Sequence, residues 1–414
     1  MLREVLVKNN ILLKKFIRTR NQSLEICKNL ELEDYSIQPH EDISPPKWHL
    51  AHTSWFYEEV ILLKLTKNKT RYNNEYKLLY NSYYKSAGKH WEQNRRGLLS
   101  RPTVKEIIQY RKYIDKEIIK FIKSSKENFN QKYLIELGIH HEEQHQELLF
   151  MDIKYILGIN PSYPKYKRSS LPKARNKPIK EWKKFSEGIY EIGHEGNKFS
   201  YDNEKPKHKK YIYSFQIQKN FVSNSEYLNF IKSNGYKKPK YWLSKGWEWI
   251  NYNNISAPLY WHQINNKWYE FTLYGLKQLD LNAPVCHISY YEAYAYSNWS
   301  GCRLPTEQES EIFLKNYIDK DQKTDKNILH SINTNKNNNN LWWWTKSHYS
   351  AYPRYISYKG ILEEYNEKFM CGQFVLKGGA IVTPVNHHRY TYRNFYEPHQ
   401  RWMFSGIRLA KDLK

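Results

Sequence analysis

Two histidines four residues apart, His141 and His145 in the run HEEQH, are the residues of this 414-residue chain best placed to do chemistry. On a helix that spacing carries both rings to one side, where their nitrogens can reach a single ion. Leu134, Leu137 and Leu148 share the stripe, with Asp152 at its end, so the pair is expected to point into a helical core. A third ligand must then come from another helix. In PPKWHLAHTSWF the best candidate is His52, with His49 one turn earlier on a similar face. Three neutral imidazoles leave coordination positions open for small ligands, as catalytic sites require. A lone buried histidine more often only hydrogen-bonds within a core; a spaced inward pair with a third histidine available points to a metal. Spacing does not choose the ion, because imidazole suits zinc, copper, iron and nickel.

HEEQH also fits the HExxH pattern of zinc proteases, in which Glu142 would act as the base. His52 is a poor replacement for the usual downstream third ligand, so the protease reading is disfavoured.

The elements that must position these residues are helical. Leu13, Phe16, Ile17, Leu24 and Cys27 form one stripe, interrupted by Arg20, and a second helix is expected from about Trp48 to Lys64. Thr103, after Pro102 and three residues before Glu106, makes a capping-box pattern that starts a third, continued by Val104, Ile107, Ile108, Ile114 and Ile118. A fourth spans roughly 131–157. Four such helices suggest an antiparallel bundle over residues 1–159. Residues 160–181, with four prolines and no periodicity, read as a linker. Beyond it, over 182–414, short strand-like pieces such as GIYEIG and YIYSFQI, a helix at 289–299 and long connections suggest an α+β domain with much irregular structure. The polar stretch 319–340 reads as a surface insertion.

Composition narrows the class. No apolar run is long enough to cross a bilayer, and the start lacks a signal-like run, so a cytoplasmic protein with no membrane partner is expected. Four scattered cysteines with no CxxC pair argue against a disulfide framework or a thiolate zinc site. The formal charge of +24 is spread along the chain without a nucleic-acid-binding motif, so no nucleic-acid partner is expected. The 37 tyrosines and 14 tryptophans, many in the second half, can fill the core of a loop-rich domain.

SPPKWHLAHTSWFYE, NSYYKSAGK, RRGLLSRPTV and HHEEQHQELLFMDIKY together resemble the DinB-like domain of ergothioneine-pathway sulfoxide synthases. IYEIGHEG, PVCHISYYEAYAYSNWSGCRLPTEQE, FVLKGGAIVTP, TYRNFYEP and FSGIRLAKD resemble the formylglycine-generating-enzyme-like domain, a C-type-lectin-related fold, that follows in this family. The resemblance implies Fe(II) held by His52, His141 and His145, with His49 a structural neighbour and oxygen as co-substrate. It implies that Gln144 and Asn394 contact hercynine, the trimethylated histidine, in a site between domains. Tyr83 and Tyr84 match a tyrosine pair that one branch uses as proton donor; their bland alternative is aromatic packing. Phe395 and Tyr396 stand where another branch has Trp-Asp, which favours free cysteine over γ-glutamylcysteine as the thiol. Arg95, Arg96 and Arg101 are candidates for holding a substrate carboxylate bidentately.

Rival readings remain. A zinc-dependent DinB-like thiol transferase would leave the second domain's motifs without a role. Formylglycine generation lacks a cysteine pair after Gly378-Gly379 to hold copper. An ovothiol-pathway sulfoxide synthase, acting on plain histidine, commonly adds a methyltransferase domain, and this chain ends at FSGIRLAKDLK, which favours ergothioneine. A lectin-like binding module on a metal-stabilised bundle would bind ligand without consuming oxygen.

Overall fold

The computed structural model describes residues 2–66, 69–124, 129–172, 180–317, 328–332 and 341–413. Of the two stretches expected to be irregular, 173–179 in the linker and all but 328–332 of the 319–340 insertion lie outside the described residues. The chain divides into two compact units: Met1–Ser162 with Tyr358–Tyr365, and Tyr163–Ser357 with Asn366–Lys414.

The first unit is built on four long helical stretches. The first is Leu2–Cys27 and the third Val104–Ser124. The second, Pro46–Phe56, runs on through a π-helical turn Tyr57–Leu62 into Leu63–Leu65; the fourth is Phe129–Gly158. The third begins as its pattern predicts: the Thr103 N–H donates to Glu106 Oε2 at 2.7 Å and the Glu106 N–H returns to Thr103 Oγ1 at 3.3 Å. Every residue of Pro46–Phe56 is buried, so this helix shows no amphipathic face; it is a core element surrounded by its neighbours. The fourth helix approaches it closely at Gly138, where a Cβ would sit 2.6 Å from the Tyr57 ring. Among the described residues no helix is long and apolar enough to cross a membrane.

Arg20, which breaks the apolar stripe of the first helix, is buried, whereas Ile17 on that stripe is exposed. The reason lies on the fourth helix. Glu142 is fully buried and accepts from Arg20 Nη1 at 2.9 Å, from Ser23 Oγ at 2.6 Å and from Arg111 Nη2. Arg20 also reaches Asp115 at 2.5 Å and Ser54 Oγ at 2.8 Å. Burial alone would raise the Glu142 pKa, but Arg111 and Arg20 outweigh it and hold the carboxyl at about 2. One turn on, Gln146 Nε2 donates to the Thr19 carbonyl at 2.8 Å. This network ties the first, second, third and fourth helices together at one level.

Among the described residues the second unit holds four small sheets. One joins Trp182–Phe185, Phe215–Gln218 and Ala410–Asp412; another joins Asn394–Tyr396, Phe374–Gly378, Trp342–His348 and Ser405–Gly406. Gly188–Ile192 pairs with His208–Ile212, and Trp261–Ile264, Lys267–Thr272 and Gly275–Gln278 form a meander. The expected helix is present as Tyr290–Trp299, capped by Ser289 and Glu292. Asn224–Lys232, Ser244–Tyr252 and Glu307–Tyr317 are additional helices; the first has the same Ser-x-x-Glu start signal at Ser223 and Glu226.

Removing one partner of a buried ion pair costs about 3–5 kcal/mol. Glu142→Gln is therefore expected to lower the melting temperature of the helical unit strongly at pH 7. Because the folded pKa of Glu142 lies below its ordinary 4.5, its contribution is complete above that value and fades as pH falls toward 2. Thermal melts of both proteins at pH 7 and pH 3 check this: the gap between them must narrow at the lower pH.

Candidate metal centre

His52 leaves the buried second helix between two tryptophans, with Trp48 stacked on one side at 4.6 Å and Trp55 on the other at 5.5 Å between centroids. Its Nδ1 lies 2.6 Å from the Tyr80 carbonyl oxygen. A carbonyl only accepts, so Nδ1 carries the proton and Nε2 keeps its lone pair. That Nε2 faces His141 Nε2 at 3.2 Å. Phe56 stacks on the His141 ring at 4.0 Å. His145 lies one turn further along the fourth helix and is half-buried, so the cluster has one more open side. The offered nitrogens of His52, His141 and His145 all lie within 4.8 Å of one another.

Burial, together with the neighbouring rings, pulls the pKa of all three histidines well below the ordinary value. They are neutral near pH 7, the form in which imidazole binds metal. Two nitrogens each about 2.1 Å from one ion, at angles between octahedral and tetrahedral, stand about 3.0–3.4 Å apart. The His52–His141 separation falls in that range, so the residues fit an imidazole-bound divalent ion such as Fe(II).

Behind His145, His49 Nδ1 lies 2.8 Å from His145 Nδ1, and His49 Nε2 lies 2.9 Å from Asp152 Oδ2. Glu142 takes no part in the cluster, being enclosed by Arg20, Arg111 and Ser23, so it cannot serve as the base of a protease. Glu143 pairs instead with His140 Nδ1 at 2.9 Å.

The tyrosine pair sits one ring away from the histidines. Tyr84 is fully buried, stacked on Trp55 at 5.7 Å and on Tyr83 at 4.5 Å. Burial, then Tyr83 and Tyr365, push its phenol pKa well above the ordinary value. Tyr365, which no local sequence pattern marks, belongs to the same unit. Its ring stands edge-on to His141 at 6.0 Å and its hydroxyl donates to Gln144 Oε1 at 2.5 Å. Its carbonyl accepts from the Tyr83 hydroxyl at 3.5 Å.

The arginines separate clearly. Arg96 is buried over the Trp48 ring at 3.4 Å, donates to Ser44 Oγ at 2.8 Å and has a buried Nε without a hydrogen-bond partner. Burial pulls its pKa down to about 9. Arg95 and Arg101 are exposed; Arg101 donates to the adjacent Ser100 carbonyl at 3.1 Å.

Asn394, Phe395 and Tyr396 belong to the second unit, on the strand paired with Phe374–Gly378. The preceding Arg393 is buried and binds Glu307 at 2.8 Å and the Asn203 and Ser350 carbonyls at 3.0 and 2.8 Å. Phe395 stacks on Tyr349 at 4.1 Å, and Asn394 Oδ1 accepts the Phe395 N–H at 3.0 Å.

Residues 15–149 match the DinB superfamily and residues 168–329 the sulfatase-modifying factor enzyme 1-like domain. The chain is thus a two-domain protein, a DinB helical domain followed by a sulfatase-modifying-factor-like domain of strands and short helices. It is 27% identical over 244 residues to hercynine oxygenase of Mycobacterium tuberculosis, covering 52% of this chain and 56% of that protein. It is 37% identical over 113 residues to hercynine oxygenase of Mycolicibacterium smegmatis, covering 27% and 26%. It is 28% identical over 231 residues to ergothioneine biosynthesis protein 1 of Schizosaccharomyces pombe, covering 52% and 28%. The chain thus spans about half or less of the length of these relatives. Over these stretches the chain is similar to hercynine oxygenases and to an ergothioneine biosynthesis protein.

His52→Ala, His141→Ala and His145→Ala are each expected to cut iron content after anaerobic Fe(II) loading at least about tenfold, since each removes one of three protein ligands. Elemental analysis of desalted protein measures it; full occupancy in all three variants would place the metal elsewhere.

Proposed function

We propose that this chain is an iron(II)- and oxygen-dependent sulfoxide synthase that joins the imidazole of hercynine to a cysteine-type thiol in ergothioneine biosynthesis. The observation that carries this reading is the neutral three-histidine cluster, buried at His52 and His141 and half-buried at His145, within a DinB domain, in a chain related to hercynine oxygenases. The net reaction takes an imidazole C–H, a thiol S–H and O2 to a sulfoxide and water. One oxygen atom ends on sulfur, and the other leaves as water with the two hydrogens.

Bound Fe(II) would supply redox chemistry that passes to oxygen the four electrons given up by the thiol and the imidazole C–H, and open positions for the thiolate. The three neutral histidines bring no negative charge, so an anionic thiolate joins them without repulsion. Tyr365 orients the Gln144 carboxamide, which directs the proposed imidazole contact. Arg96, buried with Nε unmatched, suits a substrate carboxylate better than the exposed Arg101, because a dehydrated guanidinium gains more from pairing. Tyr84 Oη holds its proton at neutral pH, as a proton donor must before the reaction begins. By resemblance of RNFYEP to the family motif, Asn394 is proposed as a second contact to hercynine, and Phe395-Tyr396 as favouring free cysteine.

The test is anaerobic loading with Fe(II), then oxygen, hercynine and either cysteine or γ-glutamylcysteine, with mass spectrometry of the products. A hercynine-thiol sulfoxide, formed from cysteine in preference, is expected. Product from plain histidine in place of hercynine would move the protein to the ovothiol reaction, and no product from any pair would overturn the synthase reading. Tyr84→Phe is expected to keep its iron while sulfoxide formation slows about a hundredfold or more, the usual range for a lost proton donor. Arg96→Lys should raise KM for the thiol about tenfold, with a smaller change in kcat, since lysine cannot hold a carboxylate bidentately. Steady-state kinetics with the wild-type product assay decides both.

A further inference from the structure

We infer that His49 and Asp152 form a positioning relay behind His145, setting the tautomer in which His145 can bind a metal. The inference rests on the metal-centre reading of the His52, His141 and His145 cluster.

The relay follows from which atoms can donate. Asp152 Oδ2 accepts the Ser44 backbone N–H at 2.9 Å, so it is an acceptor at that position. His49 Nε2, 2.9 Å from the same oxygen, must therefore carry the proton that fills the contact. In the arrangement that lets His145 bind a metal, this is the one ring proton of His49, and Nδ1 holds a lone pair. His145 Nδ1, 2.8 Å away, must then be the donor, for two lone pairs cannot share a hydrogen bond. A neutral His145 protonated at Nδ1 keeps its lone pair at Nε2, the atom left to offer to the cluster.

The same logic operates at His52, where the Tyr80 carbonyl takes the Nδ1 proton and leaves Nε2 bare at 3.2 Å from His141. The two ligands are prepared by different devices: one by a backbone carbonyl, the other by a second histidine backed by a carboxylate. His49, Asp152 and Ser44 are all buried, so water does not compete for these contacts. His49 is thus a positioning residue rather than a ligand, although it stands only three positions from His52 on the same helix. The geometry also explains why the fourth helix carries a buried aspartate at position 152, on the stripe of His141 and His145: its partner is a ring of the second helix.

The test uses the full chain and cobalt(II) as an optical probe of the centre, beside nitrogen NMR of metal-free protein labelled with 15N-histidine. In the wild type, His145 is expected to be protonated at Nδ1. His49→Leu removes the acceptor, and Asp152→Ala removes the group that orients it. Each is expected to shift His145 away from the Nδ1-protonated form and to weaken Co(II) binding about 10–100-fold, the usual effect of losing an outer partner of a metal-bound histidine. His49→Asn, whose amide oxygen takes the place of Nδ1, is expected to restore Co(II) affinity to within about threefold, which a merely structural role for His49 would not produce. Unchanged His145 protonation together with unchanged Co(II) affinity in the Leu and Ala variants would overturn the relay. If His49→Leu does not fold, the comparison of Asp152→Ala with the wild type decides the same question. Failure of the synthase reading is distinguishable: it shows as no sulfoxide from a wild-type protein that still binds Co(II) and still shows the relay.

Discussion

The helical unit depends on one buried carboxylate. Glu142 sits on the same helix as the histidine pair but one residue out of phase, and each residue turns an α-helix by about 100°. Fixing Glu142 and Gln146 against Arg20, Ser23 and Thr19 of the first helix therefore fixes the rotation of the fourth. Its neighbouring face, with His141, His145 and Asp152, then meets His49 and His52 of the second helix. Arg111 of the third helix closes the arrangement by donating to Glu142 and to Thr53 Oγ1 at 3.1 Å. A buried charge tolerates few alternative geometries, because a misplaced partner leaves it desolvated and unpaired. Rotational precision at the candidate metal centre follows from that intolerance.

The centre itself is made by excluding water from polar groups and then giving each one a specified partner. Trp48, Trp55 and Phe56 wall the imidazoles, and burial keeps these neutral. Neutral rings in a core still need their protons directed, and the Tyr80 carbonyl does this for His52. Arg96, held over Trp48, brings positive charge next to the same walls without a carboxylate in direct hydrogen-bond contact with its Nε. A proposed thiol substrate with a carboxylate has chemistry that matches this pairing of a soft, uncharged ligand set with a buried cation. In the second unit the same economy appears around Arg393, whose bonds to Glu307, Asn203 and Ser350 set the strand that begins at Asn394.

Much of the helical unit was legible in the chain. The i, i+4 histidines, the capping box at Thr103 and the apolar periodicities are local patterns, and local patterns survive in sequence because helical geometry is short-ranged. Where the reading missed, the cause was burial of polar groups. Arg20 looked like a break in a stripe but is a core residue, since an arginine with a buried carboxylate partner packs inward. The second helix, expected from about Trp48 to Lys64, is present but has no polar face over Pro46–Phe56, because it is surrounded on all sides. In the second unit the Ser223–Glu226 start signal is a local pattern that marks a helix, and the Glu307–Tyr317 helix follows a similar Thr306–Glu309 cap.

By itself, the sequence determined that His141 and His145 share one helical side, that His52, with His49 one turn earlier, is available as a third histidine, and that two domains of different architecture follow one another. Those are consequences of spacing and composition along the chain. Only the tertiary structure decided that Glu142 is an ion-pair anchor rather than a base, that His49 stands behind His145 against Asp152, and that Tyr365 meets Gln144. Arg96 and Arg101 were likewise equal in the sequence and unequal once folded. The physical reason is the same in each case. A side chain's charge, tautomer and reach are set by partners up to hundreds of residues away, and no local pattern records which of several chemically possible partners will be buried beside it.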